Sequence, residues 1–166
     1  MIIEERVERS QYVKLITWIV SFIILMAGIV FPVLILWVNQ DMMSKVIGAS
    51  VLCLIFFTLI FTVAYQPRKL ILSETHIIME RILGQVYISY SDITDISLYH
   101  RENVAEIRIF GIGGLGGYIG KFYNSKIGFY TAYVGDYSQA FLIKINNREK
   151  YVMSCRHAEK IVEEVK

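Results

Sequence analysis

The chain has 166 residues, room for one ordinary domain or for a small domain with a membrane anchor. Its hydrophobic fraction of 55% and mean hydropathy of +0.47 exceed soluble norms, and only 19% of residues are charged. From Leu70 onward 11 Lys and Arg balance 11 Asp and Glu, so this part lacks the basic footprint of a nucleic-acid binder.

Residues 1–14 read as an N-terminal segment on the cytoplasmic side. From Leu15 to Val38 there follow 24 residues without a charge. As a helix they would extend about 36 Å, enough to cross a hydrocarbon core of about 30 Å with some tilt. A second uncharged run, Val46 to Tyr65, has 20 residues and would extend about 30 Å. The connection Asn39–Lys45 is short, so 15–65 is expected to form an antiparallel transmembrane hairpin. Trp18 and Trp37 lie near the two ends of the first run, where indole favours the membrane interface. Pro32 is expected to kink this helix. The first run is too long for a signal-peptide core and no small-residue cleavage site follows it. Arg6, Arg9, Lys14, Arg68 and Lys69 flank the open end, against Lys45 alone in the turn. The positive-inside rule therefore places both termini in the cytoplasm. Neither run holds an ionisable side chain that would mark a proton or ion path. The hydroxyls of Thr17, Ser21, Ser50, Thr58 and Thr62 are expected to bond to their own helix backbones.

Gln66-Pro67 ends the second helix. Short segments then follow, each rich in Ile, Val and Tyr and too short for a helix. Strands are expected at Leu70–Leu72, His76–Ile82, Val86–Tyr90 and Ile93–Tyr99, with turns at Ser73-Glu74-Thr75, Gly84 and Ser91-Asp92. Glu106–Phe110 alternates polar and apolar residues, the pattern of a half-buried strand. Ile127–Val134 is a further strand, and Ala140–Asn146 with Lys150–Ser154 forms a hairpin across Asn147-Arg148-Glu149. Ala158, Ile161, Val162 and Val165 then recur at helical spacing, with Ser154 as the expected N-cap. Seven or eight strands and a closing helix make an α+β module over 66–166.

Six of the eleven glycines lie between Phe110 and Tyr123. Gly111, Gly113 and Gly116 satisfy G-x-G-x-x-G, but a dinucleotide loop must open a helix, and here strand-like YIGKFY follows. A phosphate-binding P-loop is excluded because no Gly-Lys-Ser/Thr follows. Glycine's missing Cβ instead permits a sharply bent sheet segment, with the interleaved aromatics filling the interior or, for some of them, facing the bilayer interface. Tyr118, Lys121, Phe122 and Lys126 stand out as a candidate interaction rim on this segment.

The order YQPRKLILSETHIIMERILGQVYISYSDITDISLY, then RIFGIGGLGGYIGKFYNSKIGFYTAYVGDYSQAFLIKINNREKYVMS, then a terminal helix, resembles the bacterial pleckstrin-homology-like (bacterial PH) domain family. It is most similar to the members carried behind membrane helices. The resemblance covers about Gln66 to Lys166, and its most specific part is Arg108 to Tyr133. It implies a PH-like bent β-sheet or partly open barrel with a C-terminal capping helix, and for most members no assigned activity. The basic phosphoinositide motif of eukaryotic relatives is replaced by Ser73-Glu74-Thr75, so headgroup recognition is not carried over.

His76, His100 and His157 have no metal-ligand spacing, and each reads as a surface residue. Cys53 and Cys155 are too differently placed to suggest a disulfide, which suits a reducing compartment. Cys155 reads as a small residue at a helix start, its alternative being a thiol activated by Arg156. Asp92 and Asp95 suit a turn. No residues are nominated as catalytic, cofactor-binding or metal-binding, and the protein is not expected to be an enzyme. The expectation is an integral protein of the bacterial cytoplasmic membrane, serving as an interaction or scaffold module. Its partners would be the lipid bilayer and a protein partner or second copy, not nucleic acid. The alternative is a receptor holding a lipid or small molecule at the aromatic barrel mouth.

Overall fold

The computed structural model describes residues 3–38, 41–101, 106–146 and 148–165. Asn39, Gln40 and Asn147 of the two expected turns, and Lys166, lie outside these ranges. The N-terminal segment is not a free tail. Strand β1 (Ile3–Arg6) pairs antiparallel with β2 (Pro67–Leu72), setting Ile3 opposite Leu72 and Arg6 opposite Lys69. The ladder continues as the Val7 N–H donates to the Arg68 carbonyl at 2.9 Å.

Helix α1 (Gln11–Leu25) starts four residues ahead of the uncharged run. Ser10 caps it, its Oγ accepting from the Val13 N–H at 3.2 Å. A π-turn at Met26–Val30 leads into α2 (Phe31–Val38). Pro32 accounts for the π-turn: it has no N–H, and its ring crowds the Gly28 carbonyl four residues back. The expected kink thus takes the form of a widened helical turn. Helix α3 (Met42–Ala64) packs beside this pair. A Cβ on Gly28 would come 2.8 Å from Ile55 Cδ1, so glycine permits the close approach.

Both helical stretches are long and apolar enough to cross a membrane, with mean hydropathies of 2.4 and 2.6 over their most apolar windows. Only 12% and 11% of those windows are buried, unlike the core helices of a soluble domain. Thr17, Ser50, Thr58 and Thr62 donate to backbone carbonyls three or four residues back, which satisfies each hydroxyl locally.

Beyond α3 the chain builds two sheets. The first adds β3 (His76–Arg81) and β4 (Gln85–Ser89) in the order β1-β2-β3-β4, antiparallel throughout. The second comprises β5 (Ile93–Tyr99), β6 (Glu106–Gly113), β7 (Tyr118–Asn124), β8 (Gly128–Val134), β9 (Ala140–Ile145) and β10 (Lys150–Ser154). Its order is β5-β9-β10-β8-β7-β6, and only the β10–β8 pair is parallel. The described residues therefore hold ten strands in two sheets, rather than seven or eight strands in one partly open barrel. The extra strands come from the N-terminus, unread in the sequence, and from a glycine segment regular enough to pair.

Alternate residues of β9 and β10 serve opposite faces of the larger sheet. Phe141, Ile143 and Met153 point into one core with Leu70, Ile77, Met79 and Ile161; the last lies on α4 (Ala158–Val165). Leu142 and Val152 point into a second core with Tyr99, Phe122, Tyr130 and Tyr137. Helix α4 buries Ala158, Ile161 and Val162, the stripe read from the sequence. Ser154 is not its N-cap. It ends β10, fully buried, and its Oγ accepts the Gly135 N–H at 2.8 Å.

The glycine run forms a β-hairpin, with a bulge between Arg108 and Phe110 bending β6. Gly111 and Gly120 face each other across it at φ +122° and +121°. A Cβ on Gly120 would lie 2.3 Å from the Phe110 carbonyl oxygen, and one on Gly111 would lie 2.1 Å from that of Ile119. Gly120→Ala is therefore expected to destabilise the domain by about 2–4 kcal/mol, combining backbone strain with overpacking. Gly128→Ala, where the added carbon meets only the end of Lys150, should cost about 1 kcal/mol. Chemical denaturation of the two variants in one detergent checks the order; equal losses would contradict it.

Candidate functional site

Two polar constellations depend on the glycine hairpin, one at its tip and one involving tyrosines of the second core. The first joins its tip to the bases of the helices. The Gly114 N–H donates to the Gly117 carbonyl at 2.9 Å and closes the turn. The Gly116 N–H then donates to Thr17 Oγ1 at 2.8 Å, while that hydroxyl donates to the Val13 carbonyl at 2.6 Å. Gln66, the buried residue between α3 and β2, lies against the same tip. A Cβ on Gly116 would come 1.9 Å from its Nε2, and Arg9 Nη2 donates to its Oε1 at 2.6 Å. The tip therefore touches α1 and the link that follows α3, and a φ of +75° favours glycine at 116.

The second constellation lies beside the second core. Glu106, at the start of β6, has a side chain only 2% exposed. Its Oε1 accepts from the Tyr99 hydroxyl at 2.8 Å and from the Tyr130 hydroxyl at 2.7 Å. Arg101 Nε approaches Oε2 at 2.9 Å, as an ion pair without hydrogen-bond alignment. The guanidinium carbon lies 4.7 Å from the Tyr137 ring centre and 5.3 Å from that of Tyr118, both within cation–π range. Asn124 Nδ2 donates to the Tyr99 hydroxyl at 3.1 Å.

Burial, reinforced by hydrogen bonding to Glu106, pushes the Tyr99 phenol up to about 12. Burial is also the main cause that raises Tyr130 and Tyr137. Burial works to lower the Arg101 guanidinium, but its contact with Tyr118 and the charge of Glu106 outweigh this and raise it. These shifts favour the neutral form of the three phenols and the charged form of the arginine.

The expected rim divides between two faces. Tyr118 and Phe122 point into the second core, ring centres 6.4 Å apart, and Phe122 is buried. Lys121 lies on the opposite, exposed face of β7, and Lys126 is exposed in the β7–β8 turn. The four do not form one continuous exposed rim, because successive strand residues alternate sides. The alternation also splits the aromatics: Tyr118, Phe122 and Tyr130 turn inward, while Phe110 and Phe129 are exposed.

Strand β6 departs most from its sequence reading. It forms the edge of the larger sheet, and among the described residues no strand pairs with its outer side. Ile107, Ile109 and Phe110 are 55%, 54% and 74% exposed, so β6 is open on both faces rather than half-buried.

Cys155 is buried, and burial raises its thiol to about 12, the reverse of activation. Asp95 pairs with Lys144 at 2.8 Å, and His157 Nδ1 lies 3.0 Å from Glu5. Among the described residues no three His, Cys, Asp or Glu side chains are grouped to hold a metal. Sequence reading missed Tyr99, Arg101, Glu106, Asn124 and Tyr137. A visible signal was the single carboxylate opening an apolar strand in a chain with 11 tyrosines.

Comparison with family models finds a match over residues 68–166 to the family described as Bacterial PH domain. No curated protein and no solved structure matches the chain.

Glu106→Ala leaves two buried hydroxyls without their acceptor and should cost about 2–3 kcal/mol of stability. Glu106→Gln keeps a neutral acceptor and should cost about half as much. Denaturation midpoints test the pair; equal losses would argue against the hydrogen-bonded account. Tyrosine ionises at about 10 in an unfolded chain. The stabilisation from keeping Tyr99 neutral is thus full below pH 10 and falls as pH rises towards its folded value of about 12. Phenolate absorbance should accordingly show Tyr99→Phe removing a late-titrating group.

Proposed function

The chain belongs to the bacterial PH domain family, and we propose that it acts as a membrane-anchored interaction module, one of the members carried behind membrane helices. In this reading 15–38 and 46–65 span the cytoplasmic membrane as a hairpin. The PH-like domain over 66–166 and both termini lie in the cytoplasm. Support comes from two long, apolar, largely uncovered helices and from the excess of Lys and Arg at their open end. The module carries out no catalytic step and presents a surface to a protein partner or a second copy.

The observation that carries the interaction reading is the β6 edge. An open edge strand offers backbone N–H and C=O groups to an incoming strand, and proteins ordinarily protect such edges with charge, proline or a covering loop. Strand β6 has Arg108 and its bulge as such protection, yet it still exposes Ile107, Ile109 and Phe110 along the unpaired edge. Strand addition would satisfy the backbone while the apolar side chains supplied contact area. The receptor reading has less support. Tyr99, Tyr118, Phe122, Tyr130 and Tyr137 contact one another with ring centres 4.8 to 6.4 Å apart, so aromatic side chains fill the second core.

A photo-crosslinking residue at Ile109, activated in native membranes, is expected to capture one discrete partner or a homodimer. Ile107→Lys should weaken that capture by placing a charge on the same edge. If positions 107 and 109 both yield no adduct, the edge is not the interaction surface. Orientation is checked with Ser44→Cys in a Cys53→Ser background. An impermeant thiol reagent should label position 44 from outside intact cells, and protection there would reverse the proposed topology.

A further inference from the structure

The β3–β4 turn has an unusual composition for an exposed tip. The Arg81 N–H donates to the Gly84 carbonyl at 3.2 Å, leaving Ile82 and Leu83 as the two central residues. Such positions normally favour Gly, Asn, Asp, Ser or Pro. Ile82 and Leu83 are 47% and 57% exposed, and neither belongs to either core.

The turn is fixed in place. The Leu83 N–H donates to the carbonyl of Ala64, the last residue of α3, at 2.8 Å. The two apolar side chains therefore sit level with the end of that helix and cannot withdraw without breaking this bond. Arg81 is held there as well. Its guanidinium carbon lies 5.3 Å from the ring centre of Tyr65, the residue after α3, and 5.6 Å from that of Tyr133. Its Nε is buried without a hydrogen-bond partner among the described residues. On the other helix, exposed Tyr12 and Trp18 lie beside Lys14 near the start of α1. An interfacial layer combines apolar side chains, aromatic rings and cations in this way.

We propose that the β3–β4 turn is a membrane contact in addition to the helices. Ile82 and Leu83 enter the interfacial layer of the leaflet from which α3 emerges, and Arg81 stands at the level of the lipid phosphates. The contact rests on the reading of α1–α2 and α3 as membrane spans, and its occupant is the bilayer rather than a protein. Continuity supports the bilayer: a surface hydrogen-bonded to the end of a spanning helix meets lipid headgroups before any cytoplasmic partner.

The test uses the full chain with Cys53→Ser, reconstituted in vesicles of phosphatidylcholine and phosphatidylglycerol. Spin labels are attached singly at Leu83→Cys, at Leu54→Cys within α3, and at Ser125→Cys in the exposed β7–β8 turn. Cys155, buried, remains unlabelled. The ratio of oxygen to water-soluble nickel-chelate accessibility at 83 is expected to be several-fold above that at 125, approaching that at 54. A ratio at 83 equal to that at 125, with 54 in lipid, overturns this inference and leaves the spans standing. Shielding of 83 from both reagents places it against protein and also overturns it. Water-like behaviour at 54 refutes the spanning reading itself, and the inference with it.

Discussion

The constraint on which the structure depends is the ladder between β1 and β2. These strands are adjacent in the sheet although the whole helical pair separates them in sequence. Pairing Arg6 with Lys69 and Ile3 with Leu72 forces the chain to enter α1 and leave α3 at neighbouring points. The helices are thus an excursion from one paired position of a sheet, rather than a tail tied to a domain by a linker. Closing so long a loop has an entropic cost that grows only slowly with length. Four registered residue pairs, with Ile3 and Val7 against the main core, offset that cost. The Glu4–Lys69 ion pair at 3.3 Å adds little, being exposed on both sides.

Once the helix bases are held together, the glycine hairpin can bridge them. Its tip offers the Gly116 N–H at 2.8 Å from Thr17, and a side chain at position 116 would meet the end of Gln66. Thr17 is well suited to receive this N–H. Its hydroxyl donates to its own helix and so leaves an oxygen lone pair for the Gly116 N–H. The same hairpin carries Glu106 at its far end, where Tyr99 and Tyr130 hold the carboxylate. A single β6–β7 unit therefore links the helix bases to a buried charge at the other end of the larger sheet.

Much of the fold was legible in local pattern. Strands β5 and β10 fall where their Ile- and Val-rich runs and flanking turn residues put them, and α4 buries the apolar stripe read at helical spacing. Strand β1 was not legible, because Ile3–Arg6 is short and mostly charged and its partner lies beyond both helices. Strand β6 misled in another way. Alternation shows that a strand has two faces, but whether either is covered depends on which strand becomes the edge. The Glu106 carboxylate was visible at the start of an apolar strand, but its partners were not: Tyr99, Arg101, Asn124, Tyr130 and Tyr137 come together only through sheet order. The rim at Tyr118, Lys121, Phe122 and Lys126 was nominated by proximity in sequence, and the two-residue period of β7 divides it between faces.

Domain and helices meet through very short links. Four residues separate β1 from α1, and two separate α3 from β2. Each junction is also bonded sideways: Ser10 N–H to the Gly135 carbonyl, Gly116 to Thr17, and Leu83 to Ala64. These three bonds oppose swinging of the domain about any one of them. The consequence for the proposed interaction surface is geometric. Strand β6 ends at Gly113, beside the tip that touches α1, so its open edge begins near the helix base and leads away from it. If the helices span the bilayer, a strand added to that edge must run between the membrane surface and the far end of the domain. A partner tethered to the same membrane could present such a strand with its orientation already restricted.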